Sequence, residues 1–340
     1  ISHFDKLYLE FGGKLFDDAH ASRVLPGFLP DSKLRMLYNI KDKAEVIITI
    51  NANDIENNKI RGDNEISYDI ETIRLKQAFE QKGFLVNSII ITQFSYQEKA
   101  IRYEKYLDNL SIKHYRTYNI NGYPNDIGHI LSEDGFGQND YIKTTRPLVV
   151  VTGPGPGSGK MATCLSQMYL DHEKGKRSSY AKFETFPIWN LGLMHPVNMA
   201  YEAATANLND INMIDPYHLE AYGSSAVNYN RDVEAFPVLK KMLEKIMGKA
   251  PYKSPTDMGV NMIGFCITDE QVAIEASKDE IIRRYYNALV DIRFAKESYS
   301  SLEKIQTLMS NLDIGPEDRK VAIGAREKQD LTGKESFAIE

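Results

Sequence analysis

The stretch Pro147-Leu-Val-Val-Val-Thr-Gly-Pro-Gly-Pro-Gly-Ser-Gly-Lys-Met161 guides the interpretation of the whole sequence. Its first half predicts a buried strand over 148–152, and its second half is a glycine-rich loop that opens a helix over 161–169. A loop between a strand and a helix points several backbone N–H groups and the positive end of the helix dipole at one place. We therefore expect a phosphate or another anion to bind there.

This loop departs from two patterns of phosphate-binding loops. In the P-loop pattern G-x-x-x-x-G-K-[ST], Pro154 stands at the first glycine and Met161 at the hydroxyl that holds Mg²⁺. The glycine spacing also fails the dinucleotide pattern G-x-G-x-x-G. Proline has no N–H group to donate. The predicted binding residues are therefore Gly153, Gly155, Gly157, Ser158, Gly159 and Lys160, with Thr163 as a nearby hydroxyl. The alternative is a tight strand-to-helix turn with a lysine at the surface.

Composition and charge are those of a soluble globular chain. Its 340 residues are 42% hydrophobic and 26% charged, and this length predicts two domains. A formal net charge of −6 argues against a nucleic-acid partner. No apolar run reaches the ~20 residues that a membrane helix needs, so we expect no membrane partner. Two cysteines, Cys164 and Cys266, lack metal or disulfide spacing, which predicts a cytoplasmic location.

Short apolar stretches alternate with helical patterns through the first half of the chain. The predicted strands cover 7–11, 46–50, 88–92, 114–119, 148–152 and 180–185. This alternation is typical of βαβ units around a parallel sheet. We predict an α/β fold in which a doubly wound, mostly parallel, Rossmann-like domain over 1–192 is followed by a mostly helical domain over 193–332. Residues 333–340 resemble the start of a further C-terminal domain.

Polar residues that follow the predicted strands are candidates for chemistry, because ligands bind outside the carboxyl ends of parallel strands. Lys14, Asp18 and His20 follow the first strand and have the residue types for anion binding and proton transfer. Glu184 ends a later strand, where a carboxylate can orient a metal or a water molecule. These four residues are the predicted catalytic set. For each of them, a solvated or hydrogen-bonded loop side chain is the alternative.

A second group of polar residues follows the strand over 46–50. We expect Asn51 and Asp54 to bind the ligand together with the glycine-rich loop. No metal site is predicted, since His218 and Glu220, two positions apart, would point to different faces of a helix.

Four blocks of the sequence carry a resemblance to a known family. They cover residues 12–27, 154–167, 183–190 and 212–216, and the second begins Pro154-Gly-Pro-Gly-Ser-Gly-Lys-Met161. The sequence closely resembles the bacterial family catalogued as domain of unknown function 1846, over essentially all 340 residues. Members of that family look longer than this chain. Because the family is defined without an activity, the resemblance transfers no catalytic residue.

Two classes of function are open at this point. The first is an enzyme acting on a nucleotide or phosphorylated metabolite held by residues 153–160, with Mg²⁺ dependence left uncertain by Met161. The second is a non-catalytic module in which the helical half forms a homo-oligomer and the loop binds a regulatory anion. Because Gly12-Gly13-Lys14 and the 153–160 loop both follow apolar strands, we also expect Lys14 and Lys160 to share a ligand if those strands are parallel neighbours.

Overall fold

The computed structural model describes residues 4–61, 65–259, 263–293, 298–318, 322–323 and 337–338. The strands are β1 (Lys6–Phe11), β2 (Ala44–Asn51), β3 (Leu85–Phe94), β4 (His114–Tyr118), β5 (Leu148–Thr152), β6 (Ser178–Phe183), β7 (Asn212–Ile214), β8 (Val227–Tyr229), β9 (Ala322–Ile323) and β10 (Phe337–Ala338). The helices of the first half are α1 (Ala19–Val24), α2 (Ser32–Tyr38), α3 (Ala52–Glu56), α4 (Tyr68–Gln81), α5 (Glu98–Asn109), α6 (Ile127–Ile130) and α7 (Lys160–Glu173). Those of the second half are α8 (Pro196–Ala204), α9 (Pro216–Tyr222), α10 (Asn230–Met247), α11 (Pro255–Met258), α12 (Glu270–Arg293) and α13 (Tyr299–Asn311). Short 3-10 helices cover Lys41–Lys43, Phe136–Gln138, Ala206–Leu208 and Ile263–Cys266.

Six parallel strands form the main sheet, in the order β4-β3-β2-β5-β1-β6. Every residue of β5 is buried, and so is every residue of β2 except Asn51. Strands buried on both faces require apolar residues at successive positions, which explains runs such as Val149-Val-Val151. The predicted α/β class with a parallel sheet and a helical region after it is confirmed.

The order in which strands are added to the sheet reverses between β2 and β5. From β2 the chain continues to β3 on one side, whereas from β5 it continues to β6 on the other side. Such a point, where successive connections diverge, leaves a crevice outside the carboxyl ends of the strands and is where ligands bind in open α/β sheets. The 153–159 loop leaves β5 at this crevice, and Asn51 ends β2 beside it.

The chain divides into two compact units that are each assembled from separate stretches. The first unit comprises 1–13, 35–183 and 237–252 and contains the six-stranded sheet. The second comprises 14–34, 184–236 and 253–340. Its core is formed largely by helices, and buried members include Val24, Val197, Ile281 and Ile305. The predicted boundaries at 192/193 and 332/333 remain predictions, and most of 333–340 lies outside the described residues.

Within the described part of the chain, no helix combines the length and the apolar character needed to cross a membrane.

Candidate functional site

The first turn of α7 opens at the carboxyl edge of the sheet without a side-chain cap. Gly159 is the N-cap residue, in a left-handed conformation with φ of 86°, and it offers no side chain to the helix. The first N–H groups of an α-helix have no partner within the helix. Together with the helix dipole, these N–H groups make the start of α7 suited to an anion.

Two glycines of the loop are required by close packing. A Cβ atom on Gly153 would lie 2.6 Å from the carbonyl oxygen of Thr49, and one on Gly159 would lie 2.7 Å from Oγ1 of Thr92. Thr49 belongs to β2 and Thr92 to β3, so the loop lies directly against both strands. Glycine at these positions lets the backbone approach the sheet edge, and the packing fixes the shape of the loop.

Ser158 attaches the loop to the strands of the sheet. Its side chain is fully buried, and its Oγ accepts a hydrogen bond from Oγ1 of Thr49 at 3.1 Å. The hydroxyl of Thr92 donates to the carbonyl oxygen of Ser158 at 2.9 Å. The predicted binding residue Ser158 thus holds the loop to β2 and β3 through its side chain and its carbonyl group.

Lys160 lies over the loop with its ammonium group. Its Nζ donates to the carbonyl oxygen of Gly155 at 3.3 Å and to Oγ of Ser158 at 3.4 Å. Both distances are at the long end of the range for hydrogen bonds, so both contacts are weak. A positive charge at a helix N-terminus is unfavourable on its own. An anion at this position would offset that unfavourable charge.

Thr163 lies in the first turns of α7 and has an unsatisfied hydroxyl. The residue is 1% exposed, and its Oγ1 has no hydrogen-bond partner among the described residues. Side chains on a helix lean toward its N-terminus, so this hydroxyl leans toward the first turn of α7. A buried polar group without a partner is costly, and a ligand that provides one removes that cost.

The end of β2 lies beside the loop. Asn51 caps α3 by accepting a hydrogen bond from the backbone of Asn53, and its Nδ2 donates to the carbonyl oxygen of Gly157 at 3.1 Å. Asp54 follows in the first turn of α3, where its Oδ1 lies 3.2 Å from Nζ of Lys59. Its Oδ2 is buried and has no hydrogen-bond partner within the described ranges.

The end of β3 carries carboxamide side chains that lie next to those at the end of β2. Gln93 accepts hydrogen bonds from Asn51 at 3.2 Å and from Asn53 at 3.3 Å, and Gln97 donates to Oδ1 of Asn53 at 2.9 Å. Gln93 and Tyr96 both have positive φ, of 51° and 62°, which is uncommon for residues other than glycine. The Tyr96 side chain is 69% exposed. The edge of β3 therefore presents neutral hydrogen-bonding groups and an aromatic ring.

The predicted catalytic residues Asp18 and His20 lie in the second unit around α1. Asp18 caps α1, accepting from the backbone of Ala21 at 3.1 Å, and its Oδ2 lies 2.5 Å from Nζ of the buried Lys33. His20 has its Nδ1 3.2 Å from Oε1 of Glu280 on α12. The carboxylate of Asp18 therefore has a structural role in this unit.

Glu280 is the centre of a buried charge cluster. Its carboxylate lies 2.6 Å from Nε of Arg23 and 2.9 Å from Nε of Arg284. Burial opposes ionisation, but the charges of Arg284 and Arg23 and the hydrogen bonds from His20 and Arg23 hold the pKa of Glu280 well below its ordinary value. Burial lowers the pKa of His20, which the hydrogen bond to Glu280 only partly offsets. A neutral His20 beside an ionised Glu280 donates through Nδ1.

This arrangement leaves Nε2 of His20 as the basic nitrogen. It is buried and has no hydrogen-bond partner in the described part of the structure. Phe186 lies edge-on to the imidazole ring, with centroids 5.0 Å apart. A histidine oriented by a carboxylate is chemically able to accept a proton.

Glu184 and Lys14 complete the predicted catalytic set, and both also belong to the second unit. Glu184 accepts a hydrogen bond from the hydroxyl of Tyr229 at 3.0 Å. The strands β1 and β5 are parallel neighbours, as the expectation for Lys14 and Lys160 requires. A ligand shared by these two lysines remains a prediction.

Sequence reasoning missed several residues of these groups. Thr49 and Thr92 are hydroxyl residues that directly follow the apolar runs 46–48 and 89–91, which is a signal for a polar contact at those positions. Glu280 is followed at the third and fourth positions by arginines, the spacing of neighbours on a helix face. Nothing in the sequence connects Glu280 with His20, because the two are 260 positions apart.

Two other kinds of chemistry, a cysteine nucleophile and a metal site, receive no support from the described residues. Burial raises the pKa of Cys164 well above its ordinary value, and the charge of Glu10 adds to this effect. Cys164 is therefore a protonated thiol at neutral pH and a poor nucleophile. The residues that the structure describes contain no group of three or more His, Cys, Asp and Glu side chains arranged to hold a metal ion.

Comparison with known sequences identifies the family. A family model described as "Domain of unknown function DUF1846, N-terminal" matches residues 1–313. A UPF0371 protein of Streptococcus pneumoniae (strain CGSP14) is 58% identical over 341 residues, which cover 100% of this chain and 69% of the relative. A UPF0371 protein of Streptococcus equi subsp. equi (strain 4047) is 56% identical over the same share of both chains. The chain therefore belongs to the family of the domain of unknown function DUF1846.

Proposed function

We propose that this protein binds a phosphorylated small molecule at the crevice between β2 and β5. The observation that carries the proposal is the start of α7, which opens at this crevice behind Gly159 without a side-chain cap. The phosphate accepts hydrogen bonds from the N–H groups of the first turn and lies near the ammonium group of Lys160. This loop resembles a P-loop in position and in its glycine-lysine ending, but not in its full pattern.

Three further features of the loop support the proposal. Close packing of Gly153 and Gly159 fixes the loop in shape before any ligand arrives. The ammonium group of Lys160 lies over the loop, 3.3 Å from the carbonyl oxygen of Gly155 and 3.4 Å from Oγ of Ser158, and so places a positive charge beside the first turn of α7. The hydroxyl of Thr163 has no partner among the described residues and leans toward the same turn.

We propose two functions that such a phosphate site could serve. In the first, the protein is a cytoplasmic enzyme that uses a nucleotide or phosphorylated metabolite, with Lys14, Asp18, His20 and Glu184 as its catalytic candidates. The basic Nε2 of His20 favours this outcome. In the second, the loop binds a regulatory anion in a non-catalytic module that forms a homo-oligomer through its helical part. The structural use of Asp18, which caps α1 and contacts Lys33, favours the second outcome.

The first prediction tests the loop by isothermal calorimetry on the full chain. We expect inorganic phosphate, AMP and ATP to bind, and we expect Lys160→Ala to weaken each affinity by about tenfold or more, the effect of losing one charge-assisted hydrogen bond. Because Met161 supplies no hydroxyl to Mg²⁺, the affinity for ATP should change little when Mg²⁺ is removed.

Lys105→Ala is the matched control, since Lys105 is an exposed lysine on α5. It should leave all three affinities unchanged. The proposal is wrong if none of the three compounds binds at millimolar concentration, or if Lys160→Ala and Lys105→Ala bind phosphate equally well.

A further inference from the structure

We infer that the ligand is a ribonucleoside phosphate, with its phosphate on the start of α7, its ribose hydroxyls on Asp54 and its base at the end of β3. This inference rests on the proposed function, because it takes the phosphate position as given. It identifies the ligand class from three neighbouring strand ends, in the order β5, β2 and β3.

The carboxylate of Asp54 is the group that the phosphate does not explain. One of its oxygens contacts Lys59, whereas Oδ2 is buried and has no partner within the described residues. A negative oxygen repels a second phosphate and accepts hydrogen bonds from hydroxyl groups. Adjacent ribose hydroxyls are donors of this kind, and in a nucleotide they belong to the sugar that carries the phosphate.

Asp54 follows β2, the strand next to the one that carries the phosphate loop, and is therefore well placed for this role. Parallel neighbours in a sheet are about 4.8 Å apart, and β2 pairs directly with β5 up to Ile48 and Thr152. Asn51 at the end of β2 contacts Gly157 of the loop and is the N-cap residue of α3, and Asp54 is the third residue of that helix. The third residue of a helix lies next to the N-cap residue, which is why the two can interact in a capping box. In dinucleotide-binding folds an acidic residue likewise takes the ribose hydroxyls beside a glycine-rich loop.

The end of β3 offers groups suited to a base. The carboxamides of Asn53, Gln93 and Gln97 form one connected network next to Asn51. A carboxamide carries both donors and an acceptor, as the edge of a nucleobase does. The exposed ring of Tyr96 is a surface on which a base can stack. Phosphate, sugar and base thus correspond to three successive strand ends.

Calorimetry on the full chain tests the inference with ligands that differ in one group. The tightest of AMP, GMP, CMP and UMP is compared with its 2′,3′-dideoxy form, with ribose 5-phosphate and with inorganic phosphate. We expect the ribonucleotide to bind about tenfold or more tightly than the dideoxy form, the effect of losing hydrogen bonds to a charged group. Ribose 5-phosphate should bind more weakly than the ribonucleotide.

Two variants assign the difference to a residue. Asp54→Asn should abolish most of the preference for the ribonucleotide over the dideoxy form. Glu56→Gln, which changes another carboxylate of α3, should retain that preference, because Glu56 accepts from the backbone of Lys99 instead. If Asp54→Asn does not fold, the comparison of the two nucleotides on the unaltered chain still tests whether the ribose hydroxyls contribute to binding.

The possible failures are distinguishable. Equal affinity for the ribonucleotide and its dideoxy form, both weakened by Lys160→Ala, overturns the ribose assignment and leaves the phosphate site standing. Ribose 5-phosphate binding as tightly as the ribonucleotide overturns the base assignment. A chain that binds neither phosphate nor any nucleotide overturns both this inference and the proposed function.

Discussion

Gly159 combines a left-handed backbone with contact to a side chain on a neighbouring strand. We expect Gly159→Ala to lower the free energy of unfolding by about 2–4 kcal/mol, because alanine is strained at positive φ and its Cβ would overlap Thr92. Gly157 is a matched control, since its φ is 77° but a Cβ atom there would meet nothing within 4 Å. Gly157→Ala should lose only about 1–2 kcal/mol. Equal losses in urea denaturation would contradict the role given to Thr92.

His20 makes stability depend on pH. Because its pKa is lowered in the folded state, the unfolded chain takes up a proton that the folded chain does not, so stability falls as pH drops below about 6.5. The charged groups around it are Glu280, Arg284 and Asp18, with Arg23 beside Glu280. The low pKa of Glu280 adds a further loss only at more acidic pH, below the ordinary carboxylate range.

We therefore expect His20→Gln to flatten the fall in unfolding free energy between pH 7 and about 5.5. Urea denaturation at several pH values measures this slope separately from any change in overall stability. His172→Gln, at an exposed histidine on α7, is the control and should keep the slope of the unaltered chain. A slope unchanged by His20→Gln would show that His20 is not the titrating group.

At the scale of elements, α7 is fixed at its C-terminal end by a buried carboxylate. Asp171 is fully buried and accepts hydrogen bonds from the hydroxyls of Tyr8 at 2.8 Å and Tyr141 at 2.7 Å, with Nζ of Lys6 at 3.4 Å. A negative charge in the last turn opposes the helix dipole. The hydrogen bonds of Asp171 offset that effect and hold the helix whose first turn forms the proposed site.

Asp171→Asn is expected to lower the free energy of unfolding by about 3 kcal/mol, because it leaves the buried Lys6 without its counter-charge. Glu173→Gln removes an exposed carboxylate from the same turn and should change stability by less than about 0.5 kcal/mol. Chemical denaturation of the two variants makes the comparison. Similar losses would mean that the negative charge of Asp171 contributes little to stability.

The elements of the sheet could be predicted from the sequence, but the order of its strands could not. The strand predicted over 148–152 is confirmed, and the one predicted over 46–50 lies inside β2 at Ala44–Asn51, because continuous apolar runs mark strands covered on both faces. The neighbours of a strand depend on contacts distant in sequence. Hence the placement of β5 between β2 and β1, which puts Asn51 beside Gly157, required the structure.

At the scale of the whole molecule, the sequence predicted the α/β class and the type of site loop, while the composition of each compact unit depended on long-range packing. The second unit begins with residues 14–34, directly after β1, and only continues at residue 184. No local pattern marks such an exchange of the chain between units. For the same reason the sequence indicated His20 as a candidate but gave no indication that Glu280 would be its partner.

The position of β1 in the sheet also has a consequence for synthesis of the chain. Its two partner strands, β5 and β6, end at Thr152 and Phe183, so at roughly 5–20 residues per second a ribosome makes β1 about 10–30 s before both partners exist. During that interval both edges of an apolar strand are open to aggregation. Lys6 and Glu10 place two charges in β1 that discourage such pairing. Their native partners, Asp171 and Tyr180, are themselves among the last residues of this unit's sheet region to be made.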